Sequence, residues 1–360
     1  MDMPAGSGQR KGRGAASNDS GRFEAEKRVA FDDGWGTADA EPMPLRTTLS
    51  VDATRTIIAR NDSPDIGFDR SINPYRGCEH GCVYCYARPS HAYLGLSPGL
   101  DFESRLFYKP QAAKLLATEL SKKGYVCRPI ALGSNTDPYQ PVERKLGITR
   151  AILEVLREFR HPVTIVTKSA LIQRDLDILA EMARDRLAMA AISVTSLDRR
   201  LARVMEPRAA TPERRLETIA ALAAAGVPAA VMSAPMIPAL NDSEMEQILE
   251  RARGAGATSA AYTLLRLPLE LKDLFKEWLE AHFPAKAAHV LSLVAQTHGG
   301  RLYDSAWFTR KTGTGPYAEV LRLRFERACR KLGFNERTTQ PLDTSRFQPP
   351  PQTGDQLALF

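Results

Sequence analysis

The feature that most constrains the fold is a repeated alternation of short apolar segments with helical segments. Such pairs recur about six times, at intervals of roughly thirty residues. Strands that are apolar along their whole length and alternate with helices indicate a parallel sheet covered by helices. The predicted strands cover residues 69–75, 129–133, 163–167, 188–195, 228–233 and 259–265. The main predicted helices cover residues 109–123, 148–159, 171–184, 211–226, 243–253, 269–281 and 285–297.

Six such units predict an open, partial (β/α)6 barrel, because right-handed crossovers curl a parallel sheet in one direction and eight units would be needed to close it. A doubly wound open sheet is the alternative that periodicity alone leaves open. We place this α/β core at residues 46–310. Residues 1–45 are predicted to be a largely disordered arm, in which residues 31–36 could dock locally. Residues 311–346 are predicted to form a basic helical extension, and residues 347–360 a flexible tail.

Three of the chain's five cysteines lie in one short loop, with the spacing C-x3-C-x2-C. Cys78, Cys82 and Cys85 cannot share one face of a helix or strand in so short a stretch, but a folded loop can bring them around a compact metal centre. Iron–sulfur clusters are held by cysteine thiolates and normally use four. Three thiolates would leave one iron open to a further ligand. The alternatives are a zinc site completed by His80, and disulfides, for which nothing indicates a secreted setting.

The residues around these cysteines resemble the signature of the radical S-adenosylmethionine (SAM) superfamily. Tyr84 stands directly before the last cysteine, as an aromatic residue does in that signature, and N-P-Y-R-G-C-x-H-G-C-x-Y-C-Y-A-R is similar to the spore photoproduct lyase branch, a DNA repair photolyase-like group. The resemblance implies the same partial barrel, a [4Fe-4S] cluster on Cys78, Cys82 and Cys85, and SAM on the fourth iron beside Tyr84. It also implies electron transfer to SAM and release of a 5′-deoxyadenosyl radical that abstracts hydrogen from a substrate.

Polar residues directly after the predicted strands are the candidates for SAM binding, because the active sites of β/α barrels lie at the carboxyl ends of the strands. Ser134 and Asn135 follow the second strand, where the resemblance implies contacts to the SAM amino group. Lys168 follows the third strand and could pair with the SAM carboxylate. Ser193 could bond the ribose, and the irregular loop 235–242 could hold the adenine. The alternatives are a turn, a solvated lysine, an ordinary strand residue and a simple strand end.

Spore photoproduct lyases carry a cysteine after the second strand, which returns a hydrogen atom to the product. The corresponding segment here reads Ser134-Asn135-Thr136-Asp137. A serine O–H bond is too strong to replace a thiol as hydrogen donor. Cys127, just before the second strand, could serve instead, but Cys127 and Cys329 are interpreted as structural cysteines. We therefore expect the radical machinery of this family with a reaction other than photoproduct repair.

Positive charge is unevenly distributed along the chain. The net charge is +7, and residues 310–346 hold nine Lys and Arg against four Asp and Glu, which is +5 of that total. Such asymmetry indicates a polyanionic partner, and we predict nucleic acid, most simply DNA. A predicted amphipathic helix over residues 317–332 carries cations that are interpreted either as solvated or as phosphate contacts: Arg322, Arg324, Arg327, Arg330 and Lys331.

The last five residues read Q-L-A-L-F and resemble the peptide by which bacterial repair and replication proteins bind the DNA sliding clamp: Gln356, Leu357, Ala358, Leu359 and Phe360. No apolar run has the length of a membrane span, and the basic N-terminus lacks the apolar region of a secretory signal. With clustered free cysteines, this predicts a cytoplasmic protein. The whole pattern predicts a lyase-like radical SAM enzyme of DNA repair type. A radical SAM modifier of protein or RNA, and a non-catalytic DNA-associated iron–sulfur protein, are the alternatives.

Overall fold

The computed structural model describes residues 12–26, 45–335 and 341–350. Ten strands lie in these residues: β1 (Thr48–Val51), β2 (Ala59–Arg60), β3 (Arg70–Ile72), β4 (Tyr75–Arg76), β5 (Arg105–Tyr108), β6 (Ile130–Leu132), β7 (Val163–Thr167), β8 (Ala188–Ser193), β9 (Ala229–Met236) and β10 (Ser259–Leu264). The main sheet has the order β10-β9-β8-β7-β6-β3-β2. Strands β3 and β6 to β10 are parallel to one another, and β2 is antiparallel to β3.

Helices follow or connect these strands along the chain. They are α1 (Leu100–Ser104), α2 (Ala112–Leu120), α3 (Glu143–Leu146), α4 (Ile148–Glu158), α5 (Leu176–Arg184), α6 (Arg199–Met205), α7 (Pro212–Ala224), α8 (Met245–Gly254), α9 (Leu271–His282), α10 (Pro284–Gln296) and α11 (Gly315–Leu332). Among the helices of the described residues, none combines the length and the apolar composition that crossing a membrane requires.

The six parallel strands confirm the predicted (β/α)6 architecture. They lie in the sheet in the same order as in the chain, as expected when each right-handed crossover adds its strand on the same side. In the described residues β10 and β2 are the two edges of the main sheet, so the barrel is open. The doubly wound alternative is wrong, because that topology reverses the strand order partway along the sheet.

The largest hydrophobic core lies between the main sheet and its helices. Strand β7 shows how the sequence builds it, because Val163 and Ile165 are fully buried while Thr164 and Val166 are partly covered. A second apolar cluster, which includes Trp278 of α9, lies under the loop that carries the clustered cysteines. That side of the loop is therefore covered by packed apolar side chains.

A small second sheet, in the order β1-β5-β4, lies beside the main sheet. Strand β1 pairs in parallel with β5, and β4 pairs antiparallel with β5. Residues from 46 onward were predicted to lie in the core, but no strand was predicted where β1 and β5 lie. The pairing of β1 with β5 joins residues that are far apart in the chain, so no local pattern indicates it.

The chain after β10 folds back onto the sheet. The Asn335 side chain exchanges two hydrogen bonds of 2.9 Å with the backbone of Ala260, and so covers the outer edge of β10. Farther on, Phe347 packs against Tyr125 and His161 at the amino end of the sheet. Residues 317–332 form the predicted helix, observed as α11.

Residues 12–26 differ from the predicted disordered arm, because they pack against the core. Ala15 is buried, and Arg13 is only 5% exposed although it is charged. These residues are held by hydrogen bonds to polar groups that are distant in the sequence, and no local pattern indicates such contacts. The docking predicted for residues 31–36, and the predicted clamp-binding end at residues 356–360, lie outside the described residues.

Candidate functional site

The carboxyl ends of the six parallel strands meet at one edge of the main sheet, and the cysteine loop (residues 73–89) follows β3 at this edge. Cys78 and Cys82 are buried, and Cys85 is partly buried. Burial raises the pKa of all three thiols, and the negative charges of Asp137 and of the other two cysteines raise that of Cys78 further. Metal ligation reverses such a preference, because it deprotonates a thiol. The loop thus gathers three thiols in a place that suits thiolates only beside a metal.

The arrangement around the loop differs from a single-ion site. Within the described residues, no group of three or more His, Cys, Asp or Glu side chains converges as one ion would require. An iron–sulfur cluster makes a different demand, because each of its iron atoms takes one thiolate. The His80 Nδ1 lies 3.3 Å from the Asp137 carboxylate. This contact orients the His80 ring on the segment that follows β6.

A buried ion pair between Arg88 and Glu103 holds the cysteine loop in shape. Both side chains are fully buried. Arg88 Nε donates to the Cys82 oxygen over 2.9 Å, and Nη2 donates to the Gly81 oxygen over 3.3 Å. These bonds fix the loop backbone around the second cysteine. Sequence reasoning missed this role, although Arg88 ends the motif; Glu103 carries no local signal at all.

Residues 12–18 cover the cysteine loop through the same carboxylate. The backbone N–H groups of Gly14 and Ala15 donate to Glu103 over 3.0 and 2.9 Å. Arg13 Nη1 donates to the backbone oxygen of Glu103 over 2.5 Å. Gly14 lies so close to the loop that a Cβ there would be 1.8 Å from the Gly81 oxygen. The N-terminal segment is therefore part of the wall around the cysteines.

Asn73 organises the segment after β6 that was predicted to contact SAM. Its Oδ1 accepts from the backbone N–H of Asn135 over 2.9 Å and of Thr136 over 3.3 Å, and its Nδ2 lies 3.1 Å from the Ser134 hydroxyl. Within the described residues, the side-chain amide of Asn135 makes no hydrogen bond. The structure therefore brings Ser134 and Asn135 to the cysteine loop, with one amide side chain still available.

Asp137 joins this segment to the next strand. Burial alone would raise the pKa of its carboxyl, but His80 and hydrogen bonds from the Lys168 N–H and the Thr167 hydroxyl lower it to about 2. Those two bonds measure 2.8 and 2.7 Å. The ionised Asp137 thus fixes the backbone at Lys168. Gln140 links the same segment to the cysteine loop, because its side-chain oxygen accepts from the Glu79 N–H over 2.9 Å.

Tyr84 belongs to a buried network at the end of β8. Its hydroxyl bonds the Glu206 carboxylate and lies 3.2 Å from the Thr195 hydroxyl. Glu206 also accepts from Thr195 over 2.7 Å and forms a buried ion pair with Arg215. The network fixes the position of the Tyr84 ring through its hydroxyl. Neither Glu206 nor Arg215 was predicted. The contact of Glu206 with Tyr84 spans 122 residues, so no local pattern indicates it.

Lys168 is the cation that faces this ring. Its ammonium lies 5.7 Å from the centroid of the Tyr84 ring. In the part of the chain that the structure describes, Lys168 has no carboxylate within ion-pair distance and its Nζ makes no hydrogen bond. The predicted pair of Tyr84 and Lys168 is therefore brought together, and the ammonium is available to an anionic ligand.

The last predicted SAM contacts lie on the neighbouring strands. Ser193 ends β8 and is buried, and its backbone oxygen accepts from Arg215 over 3.1 Å. In the loop 235–242, Asn241 donates to the Thr195 oxygen over 2.7 Å and accepts from the Ile237 N–H over 2.6 Å. Both sites lie at the carboxyl edge of the sheet. The Asn241 side chain thus holds the loop against the end of β8.

The two remaining cysteines lie away from the cysteine loop. Cys127 precedes β6 at the amino end of the sheet, and burial raises the pKa of its thiol to about 11. Cys329 is buried on α11. These positions agree with their interpretation as structural cysteines. Neither of them stands at the edge that carries the candidate site.

Relatives of this chain share much of its sequence. An uncharacterised protein of Mycobacterium tuberculosis is 38% identical over 219 residues, which are 60% of this chain and 64% of that protein. An uncharacterised protein of Methanocaldococcus jannaschii is 26% identical over 213 residues, which are 59% of this chain and 76% of that protein. The chain thus spans less than two thirds of the length of the mycobacterial relatives.

Solved structures share the fold. Spore photoproduct lyase complexed with dinucleoside spore photoproduct superposes with a TM-score of 0.57 at 15% identity, over 79% of this chain and 80% of that chain. A mutant of that lyase with bound AdoMet and the same dinucleoside gives a TM-score of 0.56 with the same coverage. The sequence profile of the Radical SAM superfamily matches residues 72–252. Members of that superfamily use a [4Fe-4S] cluster and SAM as cofactors. This chain therefore belongs to the radical SAM superfamily.

Proposed function

We propose that this protein is a radical SAM enzyme that acts on DNA, with its cluster on Cys78, Cys82 and Cys85. The observation that carries the proposal is the placement of three clustered thiols, two of them buried, and a lysine without a carboxylate partner among the described residues at the carboxyl edge of an open (β/α)6 barrel. When bound, the reduced cluster and SAM supply radical chemistry that abstracts a hydrogen atom from a substrate. The polypeptide binds and orients the reacting groups.

The donor set fits the cluster. Three thiols come from one loop whose backbone is fixed by Arg88 and Glu103, and no fourth cysteine belongs to that loop. A site with three protein thiolates leaves one iron for an exogenous ligand. The covering by residues 12–18 limits access of water from one side.

The residues around the loop fit SAM. Lys168 would bind the carboxylate by a charge-assisted hydrogen bond, since its ammonium has no other partner among the described residues. Asn135 and Ser134 would bond the amino group, and the Tyr84 ring would contact the methionyl chain. Ser193 would lie beside the ribose. Asn241 holds the loop 235–242 in a shape that could receive the adenine.

DNA is the proposed substrate for two reasons. The chain carries an excess of positive charge that favours a polyanion. The lyase with the same fold binds a dinucleoside photoproduct. The segment 134–137 has no thiol, and Cys127 lies at the opposite end of the sheet. In the proposed reaction, therefore, neither position supplies a cysteine that returns hydrogen to the product.

The experiment that tests this function is anaerobic reconstitution with iron and sulfide, followed by addition of dithionite, SAM and deuterated polymer. The proposal predicts 5′-deoxyadenosine that carries deuterium from DNA. Deuterium transfer from RNA or protein in place of DNA would contradict the substrate, and no 5′-deoxyadenosine under any condition would contradict the enzymatic function.

We also propose that residues 356–360 tether the protein to the sliding clamp, in a cytoplasmic setting. The support is the Q-L-A-L-F sequence at the end of a proline-containing segment. Replacing Leu357 and Phe360 by alanine should abolish co-purification with the clamp, whereas Gln352→Ala should not. Retention of the clamp by the double variant would contradict the tether.

A further inference from the structure

A second cation without a carboxylate partner among the described residues contacts the cysteine loop, as Lys168 does. Arg266 follows β10 by two residues, so it stands at the carboxyl edge of the sheet. Its guanidinium carbon lies 5.2 Å from the centroid of the Tyr86 ring and 6.0 Å from that of Tyr303. Tyr86 comes directly after the last cysteine of the loop. Arg266 is therefore a neighbour of the candidate active site.

The guanidinium is held in place but its charge is not neutralised. Arg266 Nη2 donates to the Tyr303 hydroxyl over 3.4 Å. Its Nε is buried and has no hydrogen-bond partner in the part of the chain that is described. The same residues offer no carboxylate within ion-pair distance. A planar guanidinium stacked on aromatic rings, with donors left over, is well suited to a phosphate.

The segment that contacts Arg266 also exposes aromatic rings. The segment 303–311 begins at Tyr303 and ends at Lys311, whose backbone oxygen accepts from the Leu264 N–H over 2.8 Å. Between these ends, Trp307 is 57% exposed and Phe308 is 64% exposed. Two adjacent exposed rings form an apolar surface of the kind at which proteins bind partners. Aromatic rings beside cations are the usual surface for the bases of a single strand.

The other cations of this segment are already engaged. Arg310 forms an ion pair with Asp65, and the Lys311 ammonium donates to the Asp65 backbone oxygen over 2.8 Å. Asp65 thus fixes the segment on the core. Arg266 remains as the cation whose charge is available at this place.

We propose that Arg266 binds a backbone phosphate of DNA whose target nucleotide has left the base stack. Trp307 and Phe308 then provide rings for neighbouring bases of the same strand. A base inside a duplex cannot reach a buried site, so enzymes that act on bases take single-stranded or extruded nucleotides. This assignment rests on the proposed function and adds to it the place where the strand enters.

The test uses the full-length reconstituted protein and a fluorescent single-stranded DNA oligonucleotide, titrated at several salt concentrations. Arg266→Ala is expected to weaken binding about tenfold, and to reduce the slope of log K against log salt by about 0.7, the value for one phosphate contact on a single strand. Arg266→Lys should keep the salt slope and recover part of the affinity, because it keeps the charge but loses the planar fork. The double variant Trp307→Ala, Phe308→Ala should weaken binding and leave the slope unchanged.

Arg214→Ala is the matched control. Arg214 lies on α7 and is paired with Glu217, so its loss should change neither affinity nor salt slope. Unchanged DNA binding by Arg266→Ala would overturn the assignment, as would loss of SAM affinity alone, or tighter binding of an RNA oligonucleotide of the same sequence. Formation of 5′-deoxyadenosine by the wild-type protein without DNA is measured in parallel. It reports on the radical chemistry independently of the strand-binding result.

Discussion

Lys168 and Arg266 are two cations that flank one cysteine loop, and their surroundings differ. Lys168 faces the Tyr84 ring from the end of β7, while Arg266 packs on Tyr86 beyond β10. On α11, by contrast, Arg322 is paired with Glu319 and Glu326. The free energy of an ion pair in water is small, but an unpaired cation at a partly buried site gains more from an anionic ligand. We therefore expect anionic ligands to bind beside this loop.

Replacing Lys168 by methionine should weaken SAM binding about tenfold, because one charge-assisted hydrogen bond is lost while the volume is kept. The iron content should stay unchanged, since the three cysteines are untouched. Isothermal titration of the reconstituted protein with SAM measures the first quantity, and colorimetric iron analysis the second. Lys123→Met, an exposed lysine just past the end of α2, is the control. Equal SAM affinity in both variants would rule out the assigned role of Lys168.

At the scale of elements, the apolar parts of the fold could be predicted from the sequence and the polar supports could not. Strand β7 was predicted as residues 163–167 and occupies them, because its β-branched run is buried. Ser169 and Thr211, which accept backbone hydrogen bonds at helix starts, show equally local control. Glu103 and Glu206 act across long sequence distances, so no pattern of neighbouring residues indicates them.

The covering of the cysteine loop by residues 12–18 gives a test at this scale. Gly14→Ala places a methyl group 1.8 Å from the Gly81 oxygen, so the segment and the loop must separate. We expect faster loss of the cluster absorbance in air than for the wild-type protein. Gly254→Ala on α8 is the matched control, because a methyl group there meets nothing within 4 Å. Equal rates of bleaching for the two variants would show that the covering has no protective role.

At the scale of the whole molecule, a segment from outside the core packs on each end of the barrel. Residues 12–18 close over the carboxyl edge, and Phe347 packs on His161 at the amino end. His161 also lies 2.9 Å from the Tyr125 hydroxyl, which accepts from Arg70 over 3.1 Å. The folded state thus depends on a buried, neutral imidazole far from the candidate site.

This imidazole predicts a dependence of stability on pH. Burial lowers the pKa of His161, and separately of His91, from 6.5 to about 4. Between these values the unfolded chain binds more protons than the folded one, so the free energy of unfolding falls as the pH falls, by on the order of 3 kcal/mol per histidine. His161→Gln should lose about half of this dependence. Urea unfolding at a series of pH values measures it, and an unchanged slope in the variant would contradict the assignment.

The assignment of a SAM-binding cluster to Cys78, Cys82 and Cys85 is tested most directly by electron paramagnetic resonance of the anaerobically reconstituted, dithionite-reduced protein, recorded with and without SAM. This assignment predicts the signal of a reduced [4Fe-4S] cluster whose spectrum changes when SAM is added, and the loss of that signal when all three cysteines are replaced by alanine. A cluster signal that is indifferent to SAM, or one that survives in the triple variant, would contradict it.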